Sequence, residues 1–440
     1  MSILKRPLRL PCGAVLSNRV AKAAISEGLA DPMNRATGRH ITLYSRWAQG
    51  GAGLLVTGNI LVDRTHLERP GNIAVDDNDG LDALRAMAAA GTSAGNHLWM
   101  QINHPGRQTP ASINPAPLAP SAVALNAPEV GCGNPREMTS CQIEDVIRRF
   151  AHTARVAREC GFTGVQVHSA HGYLLSQFLS PLSNQRRDEW GGSLPNRARL
   201  LLEIVRAVRK AVGNDFPVAV KLNSADFQKG GFSSDESMQV VKWLGEERID
   251  LLEISGGNYE QMQMVGLVGS EFIADQVKTG CPTAESARRR EAYFLDYARQ
   301  VRPLATMPLM ITGGFRTRAG MEDALTAGEV EVVGLARPFC ADPTACKGLL
   351  SGESAAVPAL ERKMILDRAA LGPVDDAIFH KMESWGQVAW FCLQVARISD
   401  GKDADMKMSL LEALTQYEAS EEAAVKALVR QGATAKVLGS

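Results

Sequence analysis

The sequence has no excess of charge of either sign. Its 440 residues include 48 Lys and Arg against 48 Asp and Glu, so the formal net charge at pH 7 is zero. Proteins that bind nucleic acids or anionic membrane surfaces need a surplus of basic side chains to neutralise the phosphates. We therefore expect neither a nucleic-acid partner nor a membrane partner.

Long apolar segments are missing as well. The chain contains no run of about 18 apolar residues, the length that a transmembrane helix requires. The N-terminal segment MSILKRPLRLPCG lacks the apolar core of a secretory signal peptide. These absences, in a composition that is 45% hydrophobic and 22% charged, predict a soluble and cytoplasmic protein with a large core.

The eight cysteines do not follow the spacing of metal sites. No pair forms Cys-x-x-Cys, and no group of His and Cys has the spacing of a zinc finger or an iron–sulfur cluster. Several of them, such as Cys160 and Cys392, lie in helical patterns, where a small buried side chain is usual. We expect reduced thiols and no bound metal ion.

A Gly-x-Gly-x-x-Gly turn near the start of the chain is also absent, which argues against a doubly wound α/β sheet. The chain does contain eight short β-rich runs that alternate with amphipathic helical patterns. Eight such units predict a (β/α)8 TIM barrel over residues 1–350. The predicted strands are RVAKAAI (19–25), GLLVTG (53–58), HLWMQI (97–102), GVQVH (164–168), PVAVKL (217–222), DLLEIS (250–255), PLMITGG (308–314) and EVVGLA (331–336).

Three of the helical patterns have clear periodicity or end signals. Apolar residues recur at helical spacing over 143–160, and the pattern over 196–213 ends at Gly213, the expected C-cap. A third helix is predicted over 234–247 with Ser234 as its N-cap.

Segments outside the repeating units carry further expectations. LPCGAVLSN (10–18) predicts a β-ribbon that closes the N-terminal mouth of the barrel, and the long Pro-, Asn- and Gly-rich loop 103–140 predicts a functional role. Residues 351–440 predict a C-terminal helical extension. This extension carries an aromatic group, Trp385, Trp390 and Phe391, which is compatible with a membrane or partner face. Because the segment is too short to span a bilayer, packing on its own barrel or a contact in a homo-oligomer is favoured.

Active sites of such barrels lie at the C-terminal ends of the strands. The chemistry-bearing residues there are Ser26, Thr57, Gly58, Gln101, Asn103, His104, His168, His171, Tyr173, Lys221, Gly313, Gly314, Ala336 and Arg337. A Gly-Gly turn exposes backbone N–H groups, a guanidinium adds donors, and phosphate sites after strands seven and eight recur in this fold. This set predicts a site for a flat polar heterocycle with a phosphate, although a purely structural tight turn explains the glycines equally well.

His168 and His171 stand three residues apart in VQVHSAHGYLLSQFLSP (165–181), and three interpretations of them are open. Neutral imidazoles can bind a metal, but the nearest candidate acids in the pattern, Asp226 and Glu253, are distant in sequence. As hydrogen-bond donors the two rings can polarise a carbonyl oxygen, with Tyr173 delivering a proton. As polar loop residues they can simply be satisfied by the backbone.

The segment VQVHSAHGYLLSQFLSPLSNQRRDEWGGSLPNR closely resembles the signature segment of the old yellow enzyme family of FMN-dependent oxidoreductases. The similarity extends from about residue 3 to residue 345 and includes NRVAKAAIS, GLLVTG, MQINHPGRQ, ITGGFR and GLARPFCADP. A match of some thirty residues in order is far more specific than a short motif.

The resemblance implies a role for each matching residue. His168 and His171 would hold the carbonyl oxygen of the substrate, and Tyr173 would be the proton donor. Gln101 would pair with the pyrimidine edge of the flavin, and Lys221 would place a cation beside it. The other implied cofactor contacts are Ala24, Ser26 and Gly58 at the ring, and Gly313, Gly314, Ala336 and Arg337 at the phosphate.

The chain departs from the family pattern at several positions. Lys221 stands where many members have Arg, so the cation remains but a bidentate contact is lost. Ala24 replaces a usual proline, and Ser26 stands where one branch has a cysteine thought to tune the flavin. The iron–sulfur cysteines of another branch are missing.

The resemblance implies an ene-reductase that transfers hydride from NADH or NADPH, through FMN, to the C=C bond of a small enone-type substrate. Three alternatives stay open. Another FMN barrel oxidoreductase would act on a different substrate. A metal-dependent barrel hydrolase would use the two histidines as ligands. A non-catalytic barrel would act through its C-terminal helices.

Overall fold

Eight parallel strands close into a barrel, as predicted. The computed structural model describes residues 2–127, 130–260 and 294–431, with the backbone alone at 370 and 377. The barrel strands are β1 Val20–Lys22, β2 Leu54–Leu61, β3 His97–Asn103, β4 Gly164–Ser169, β5 Val218–Asn223, β6 Leu251–Ser255, β7 Leu309–Thr312 and β8 Val332–Leu335. Each pairs with the next in the chain, and β8 pairs with β1. The predicted (β/α)8 barrel is confirmed.

Helices surround the barrel. In chain order they are α1 Gly38–Ala48, α2 Leu81–Gly91, α3 Ser140–Glu159, α4 Leu174–Leu179, α5 Leu194–Val212, α6 Ser234–Glu246, α7 Leu295–Val301, α8 Arg318–Thr326, α9 Arg337–Ala341, α10 Ala345–Ser351, α11 Asp376–Ser399 and α12 Leu410–Arg430. Gly213 caps α5 with a φ of 77°, a left-handed conformation that favours glycine. The predicted N-cap of α6 is wrong by one residue, because the Ser233 side chain accepts the hydrogen bond from the Glu236 N–H.

A short antiparallel ribbon plugs the lower end of the barrel. Leu8–Arg9 pairs with Val15–Leu16, so the predicted ribbon is present, although it begins two residues before the predicted segment 10–18. Its buried leucines pack against side chains from the first residues of several barrel strands, including Leu54, Leu251 and Val332. The inside of the barrel is therefore filled at this end, which leaves the opposite end for a ligand.

The C-terminal extension packs on the barrel. Trp390 and Phe391 of α11 are buried in the same hydrophobic cluster as Trp47 of α1, and the Arg39 and Asp400 side chains form an ion pair at 2.7 Å. Residues 432–440 of the predicted extension and 261–293 of the predicted barrel lie outside the described residues. The division of the chain into two domains at residue 350 stays a prediction. Within the described ranges, no helix is long and apolar enough to cross a bilayer.

Candidate active site

Seven of the predicted site residues meet in one cavity at the C-terminal end of the barrel. The cavity has a volume of about 80 Å³, and we call it the mouth cavity. Its lining consists of Ala24, Ile25, Ser26, Asn59, Gln101, His168, His171, Tyr173 and Lys221. Of these, Ile25 and Asn59 were not predicted. A larger surface cavity of about 490 Å³, between α1 and the segment 403–406, is lined by none of the predicted site residues.

The hydrogen bonds of the two histidines suit them to donate into the mouth cavity. Nδ1 of His168 accepts from the Ala170 N–H at 3.2 Å, so the ring proton lies on Nε2. Nε2 of His171 lies 2.6 Å from Ser255 Oγ, and a hydroxyl that donates there leaves the ring proton on Nδ1. Burial, followed by the charge of Lys221, holds the pKa of both imidazoles well below the usual value, so both are neutral at pH 7.

The backbone of His171 is held in a conformation that few non-glycine residues adopt. Its φ is 60°, its N–H donates to Asn223 Oδ1 at 3.1 Å, and its carbonyl accepts from Gln108 Nε2 at 3.0 Å. Such strain persists only where surrounding contacts enforce it, and it is frequent at functional sites. Gln108 belongs to the long loop after β3, so this loop supports the site.

Tyr173 stands at the N-cap position of α4, and its ring lies edge-on to His168 at 4.9 Å between centroids. Its hydroxyl lies 2.9 Å from the hydroxyl of Tyr259. Burial raises the pKa of Tyr173 well above its usual value. The phenol is therefore protonated at neutral pH, as a proton donor must be.

A row of buried polar side chains runs across the barrel, and both of its ends, Gln101 and Lys221, line the mouth cavity. Gln101 Nε2 donates to Gln166 Oε1 at 2.7 Å, and Gln166 Nε2 donates to Glu253 Oε2 at 2.7 Å. The row ends at Lys221, whose Nζ lies 3.0 Å from Glu253 Oε1. Strand register causes this order, since Gln101 stands opposite Gln166 and Lys221 stands opposite Glu253.

Glu253 changes what Lys221 can do. The sequence predicts a lysine cation beside a flavin, whereas the structure pairs this cation with a fully buried carboxylate. The two side chains then carry almost no net charge together, and only the dipole of the ion pair remains. From the sequence, Glu253 was considered only as a distant candidate metal ligand. Its position as the single acid inside the apolar strand DLLEIS could have indicated a buried carboxylate that needs a partner.

This pairing leads to a prediction about the redox potential of bound FMN. Positive charge beside the pyrimidine edge favours the reduced cofactor. We therefore expect Glu253→Gln, which leaves Lys221 unpaired, to raise the midpoint potential, and Lys221→Met to lower it. A redox titration with a reference dye measures both. Equal potentials in the two variants would show that the pair does not face the flavin.

Directly after β7, Gly313 and Gly314 have φ values of 127° and 87°, a backbone conformation that favours glycine. Arg337 opens α9, directly after the predicted Ala336. An unpredicted guanidinium, that of Arg316, has a buried Nε without a hydrogen-bond partner among the described residues. Backbone donors, two guanidinium groups and a spare buried donor fit a phosphate.

Glu361 of the C-terminal extension was missed by the sequence analysis. Its Oε1 lies 2.6 Å from Arg316 Nη2 and 3.5 Å from Arg337 Nη1. The extension therefore supplies a carboxylate to the arginines of the predicted phosphate site. A bound phosphate would share these two guanidinium groups with Glu361.

Gly58 lies beside the mouth cavity and does not line it. It falls in a register irregularity between β2 and β3, and its N–H donates to Glu27 Oε1 at 2.9 Å. A Cβ on Gly58 would lie 2.1 Å from Glu27 Oε2 and 2.5 Å from the Ile25 carbonyl oxygen. Position 58 is therefore a glycine because its backbone lies so close to the Glu27 side chain. The next residue, Asn59, lines the cavity.

The described residues contain one group with metal-ligand geometry, and it excludes the two site histidines. It consists of Asp63, His66 and His104. His66 contacts Asp63 Oδ2 through Nδ1 at 2.8 Å and accepts from the Leu118 N–H through Nε2 at 3.0 Å. Both nitrogens of His66 are engaged, so this cluster supports the loop after β3. The metal-ligand interpretation of His168 and His171 gains no support.

Comparison with known proteins agrees with the geometry. The sequence profile of the NADH:flavin oxidoreductase / NADH oxidase family matches residues 4–352. The NADH-dependent flavin oxidoreductase nadA of Aspergillus parasiticus is 35% identical over 424 residues, which cover 93% of this chain and 88% of that protein. The NADH-dependent flavin oxidoreductase iliE of Neonectria sp. is 39% identical over 357 residues, covering 77% of this chain. The present chain spans only 46% of that relative.

A solved structure shares the fold. The old yellow enzyme homologue from Zymomonas mobilis matches 86% of this chain and 98% of its own chain, with a TM-score of 0.65 and 21% identity. The family profile covers most of the chain. The chain therefore belongs to the NADH:flavin oxidoreductase / NADH oxidase family, the FMN-dependent oxidoreductases of the old yellow enzyme type.

Proposed function

We propose that this protein is an ene-reductase, which uses NADH or NADPH to reduce the C=C bond of small α,β-unsaturated carbonyl compounds. The observation that carries the proposal is the convergence of two neutral imidazoles and one protonated phenol on the mouth cavity. Bound FMN would supply the chemistry of hydride acceptance from the nicotinamide and hydride delivery to the substrate. The side chains of the protein supply orientation and the proton.

His168 and His171 are proposed to hold the carbonyl oxygen. Reduction of the conjugated C=C bond moves negative charge onto this oxygen, and two preorganised N–H donors stabilise that charge more than the neutral ground state. Neutral rings suit this role. Because their pKa values are held low, each ring keeps one N–H as a donor and does not carry a second proton. The Ser255 hydroxyl, 2.6 Å from Nε2 of His171, restrains the direction of this ring.

Tyr173 is proposed to protonate the α-carbon. Its ring packs against both imidazoles, at centroid distances of 4.9 Å from His168 and 6.3 Å from His171, so a substrate held by these rings lies beside the phenol. A phenol with a raised pKa keeps its proton until a carbon with developing negative charge accepts it.

The same geometry supports the proposed cofactor contacts. Gln101 and Lys221 line the cavity where the polar edge of the ring would lie, with Ala24 and Ser26 on the side of β1. Gly313, Gly314 and Arg337 would hold the phosphate, with Arg316 as a further donor. Gly58 and Ala336 stand directly beside these contacts and would shape the cradle through their backbone.

The direct test uses the purified holoenzyme under anaerobic conditions. We expect NADH or NADPH to bleach the flavin absorbance, 2-cyclohexenone to restore it, and cyclohexanone to accumulate in equal amount. Cyclohexanone itself, which lacks the C=C bond, is the matched control and should restore nothing. Bleaching by NAD(P)H followed by reoxidation with dioxygen and with none of a panel of enones would favour another FMN barrel oxidoreductase. A protein that binds no FMN would contradict the proposal altogether.

His171→Ala should weaken both binding and turnover. The variant loses one donor that contacts the oxygen in the ground state and more strongly as charge develops. A neutral hydrogen bond contributes about 1 kcal/mol and one to a charged group about 1.5–3 kcal/mol. We expect a several-fold weaker Kd for a phenol such as p-hydroxybenzaldehyde, read from the flavin spectrum, and a larger loss in reoxidation rate. An unchanged Kd would show that His171 does not contact the ligand oxygen.

A further inference from the structure

A chain of buried hydroxyl and carboxyl groups leads away from Tyr173. The Tyr173 and Tyr259 hydroxyl oxygens are 2.9 Å apart, and the Tyr259 hydroxyl oxygen is 3.2 Å from Glu68 Oε1. Tyr259 follows β6 and Glu68 lies in the loop after β2, so three separate parts of the barrel mouth meet here. The reduction proposed for this site uses neither Tyr259 nor Glu68.

The protonation state of Glu68 decides which group donates and which accepts in the hydrogen bonds that link Glu68, Tyr259 and Tyr173. If the carboxyl is ionised, it accepts the Tyr259 proton, Tyr259 accepts from Tyr173, and the Tyr173 proton points away from the substrate. If the carboxyl is protonated, it donates to Tyr259, Tyr259 donates to Tyr173, and the Tyr173 proton is free for the mouth cavity. In the second arrangement the Tyr173 proton already points toward the substrate, as an acid requires.

The surroundings of Glu68 favour the protonated form. Its second oxygen, Oε2, is buried and has no hydrogen-bond partner among the described residues, a costly situation for a carboxylate. Burial raises the pKa of Glu68, and the nearby carboxylate of Glu421 raises it further. Three neighbours act in the opposite direction: the Arg69 guanidinium, the Ser26 hydroxyl and the Tyr259 hydroxyl.

The C-terminal extension limits the influence of Arg69 on Glu68. Arg69 Nη2 pairs with Glu421 Oε1 of α12 at 2.5 Å, and its guanidinium lies 5.1 Å from the centre of the Tyr417 ring. Its Nη1 also contacts Cys392 Sγ of α11 at 3.5 Å. The positive charge beside Glu68 is thus shared with residues that lie outside the barrel, and it is still the largest influence that lowers the pKa of Glu68.

We infer that Glu68 and Tyr259 form a proton relay that supplies Tyr173 during reduction of the substrate; this inference rests on the proposed function. As the Tyr173 O–H bond breaks and the new C–H bond forms at the α-carbon, the Tyr259 proton moves to the Tyr173 oxygen. The Glu68 carboxyl proton then moves to the Tyr259 oxygen. Glu68 is left as a carboxylate and regains its proton from water before the next turnover. No buried phenolate has to persist, which is the physical advantage of the relay.

The relay is tested by anaerobic stopped-flow reoxidation of the NADH-reduced holoenzyme with 2-cyclohexenone. We expect Tyr259→Phe and Glu68→Gln to slow reoxidation roughly 10- to 100-fold, the range for losing one hydrogen bond to a charged oxygen, with the reduction step unchanged. In mixtures of H2O and D2O, the wild-type rate should curve with deuterium content because several protons move together. Tyr259→Phe should give a straight line.

Two further variants separate a relay from a structural role. Tyr297→Phe is the matched control, since Tyr297 is also a buried tyrosine, with its hydroxyl 2.6 Å from Ser237 Oγ on the outside of the barrel. This variant should keep the wild-type rate and curvature. Glu421→Gln removes a charge that raises the pKa of Glu68, so the pH above which reoxidation slows should move to lower pH. Glu68→Gln should remove this pH dependence.

The outcomes also separate the relay from the proposed function. If Tyr173→Phe slows reoxidation while Tyr259→Phe and Glu68→Gln leave the rate and its isotope dependence unchanged, the relay is wrong and the proposed function stands. If Tyr173→Phe itself has no effect, the proposed proton donor is wrong, whatever the other variants show. Retained flavin content and Tm in each variant exclude misfolding as the cause of a slow rate.

Discussion

Tyr173→Phe should slow reoxidation of the reduced enzyme by an enone by roughly 10²–10⁴-fold, the usual contribution of general acid catalysis. The reason is that the variant removes the one acidic hydroxyl that lines the mouth cavity beside both imidazoles. Reduction of the flavin by NADH or NADPH requires no proton from this residue and should keep its rate. Stopped-flow absorbance at the flavin band measures both half-reactions in one preparation.

The reductive half-reaction is the internal control for this variant. If the flavin is reduced as fast as in the wild type, the cofactor and the nicotinamide are correctly placed. Equal slowing of both half-reactions would indicate that Tyr173 has a structural role. A normal rate of reoxidation would show that the proton comes from water or another group.

Gly58→Ala should destabilise the protein and lower its FMN content. A Cβ at this position would lie 2.1 Å from the Glu27 carboxylate and 2.5 Å from the backbone oxygen of Ile25. The side chain of Glu27 can move, but Ile25 belongs to the wall of the mouth cavity and its backbone can move only with that wall. Overpacking of this kind costs about 1–3 kcal/mol. Thermal unfolding and the ratio of flavin to protein absorbance measure the two effects.

Gly38→Ala is the matched control for Gly58→Ala. Gly38 is the first residue of α1, and a Cβ there would meet nothing within 4 Å. This variant should therefore keep the wild-type Tm and flavin content. The explanation of Gly58 would be wrong if Gly58→Ala also behaved like the wild type.

The barrel itself could be predicted from the chain. The eight apolar runs were separated by helical patterns, and every one of them is a barrel strand whose ends lie within a few residues of the prediction. The ribbon at the lower end and the C-cap at Gly213 were also predictable, because turn and cap residues act locally. The N-cap of α6 was misplaced because adjacent serines, Ser233 and Ser234, offer the same hydroxyl to the backbone.

The residues around the mouth cavity were predictable only in part. Seven of its nine lining residues stand at strand ends or in the family motif, where a rule about barrels or a resemblance selects them. Their roles as donors, acid and cofactor contacts stay predictions. Asn59 was missed because the irregular pairing of β2 turns this residue toward the cavity, and no sequence pattern announces such an irregularity.

The sequence by itself determined the closed barrel, the end of the barrel that holds the site, and the two histidines and tyrosine that line it. Each depends on local periodicity or on residues close together in the chain. Only the tertiary structure decided that Glu253 neutralises Lys221, that Glu361 reaches the arginines after β7 and β8, and that Tyr259 and Glu68 continue from Tyr173. These contacts join residues from 24 positions apart (Arg337 and Glu361) to 191 positions apart (Glu68 and Tyr259). They follow from strand register and from the packing of the extension, because a buried carboxylate is stable only where such partners are available.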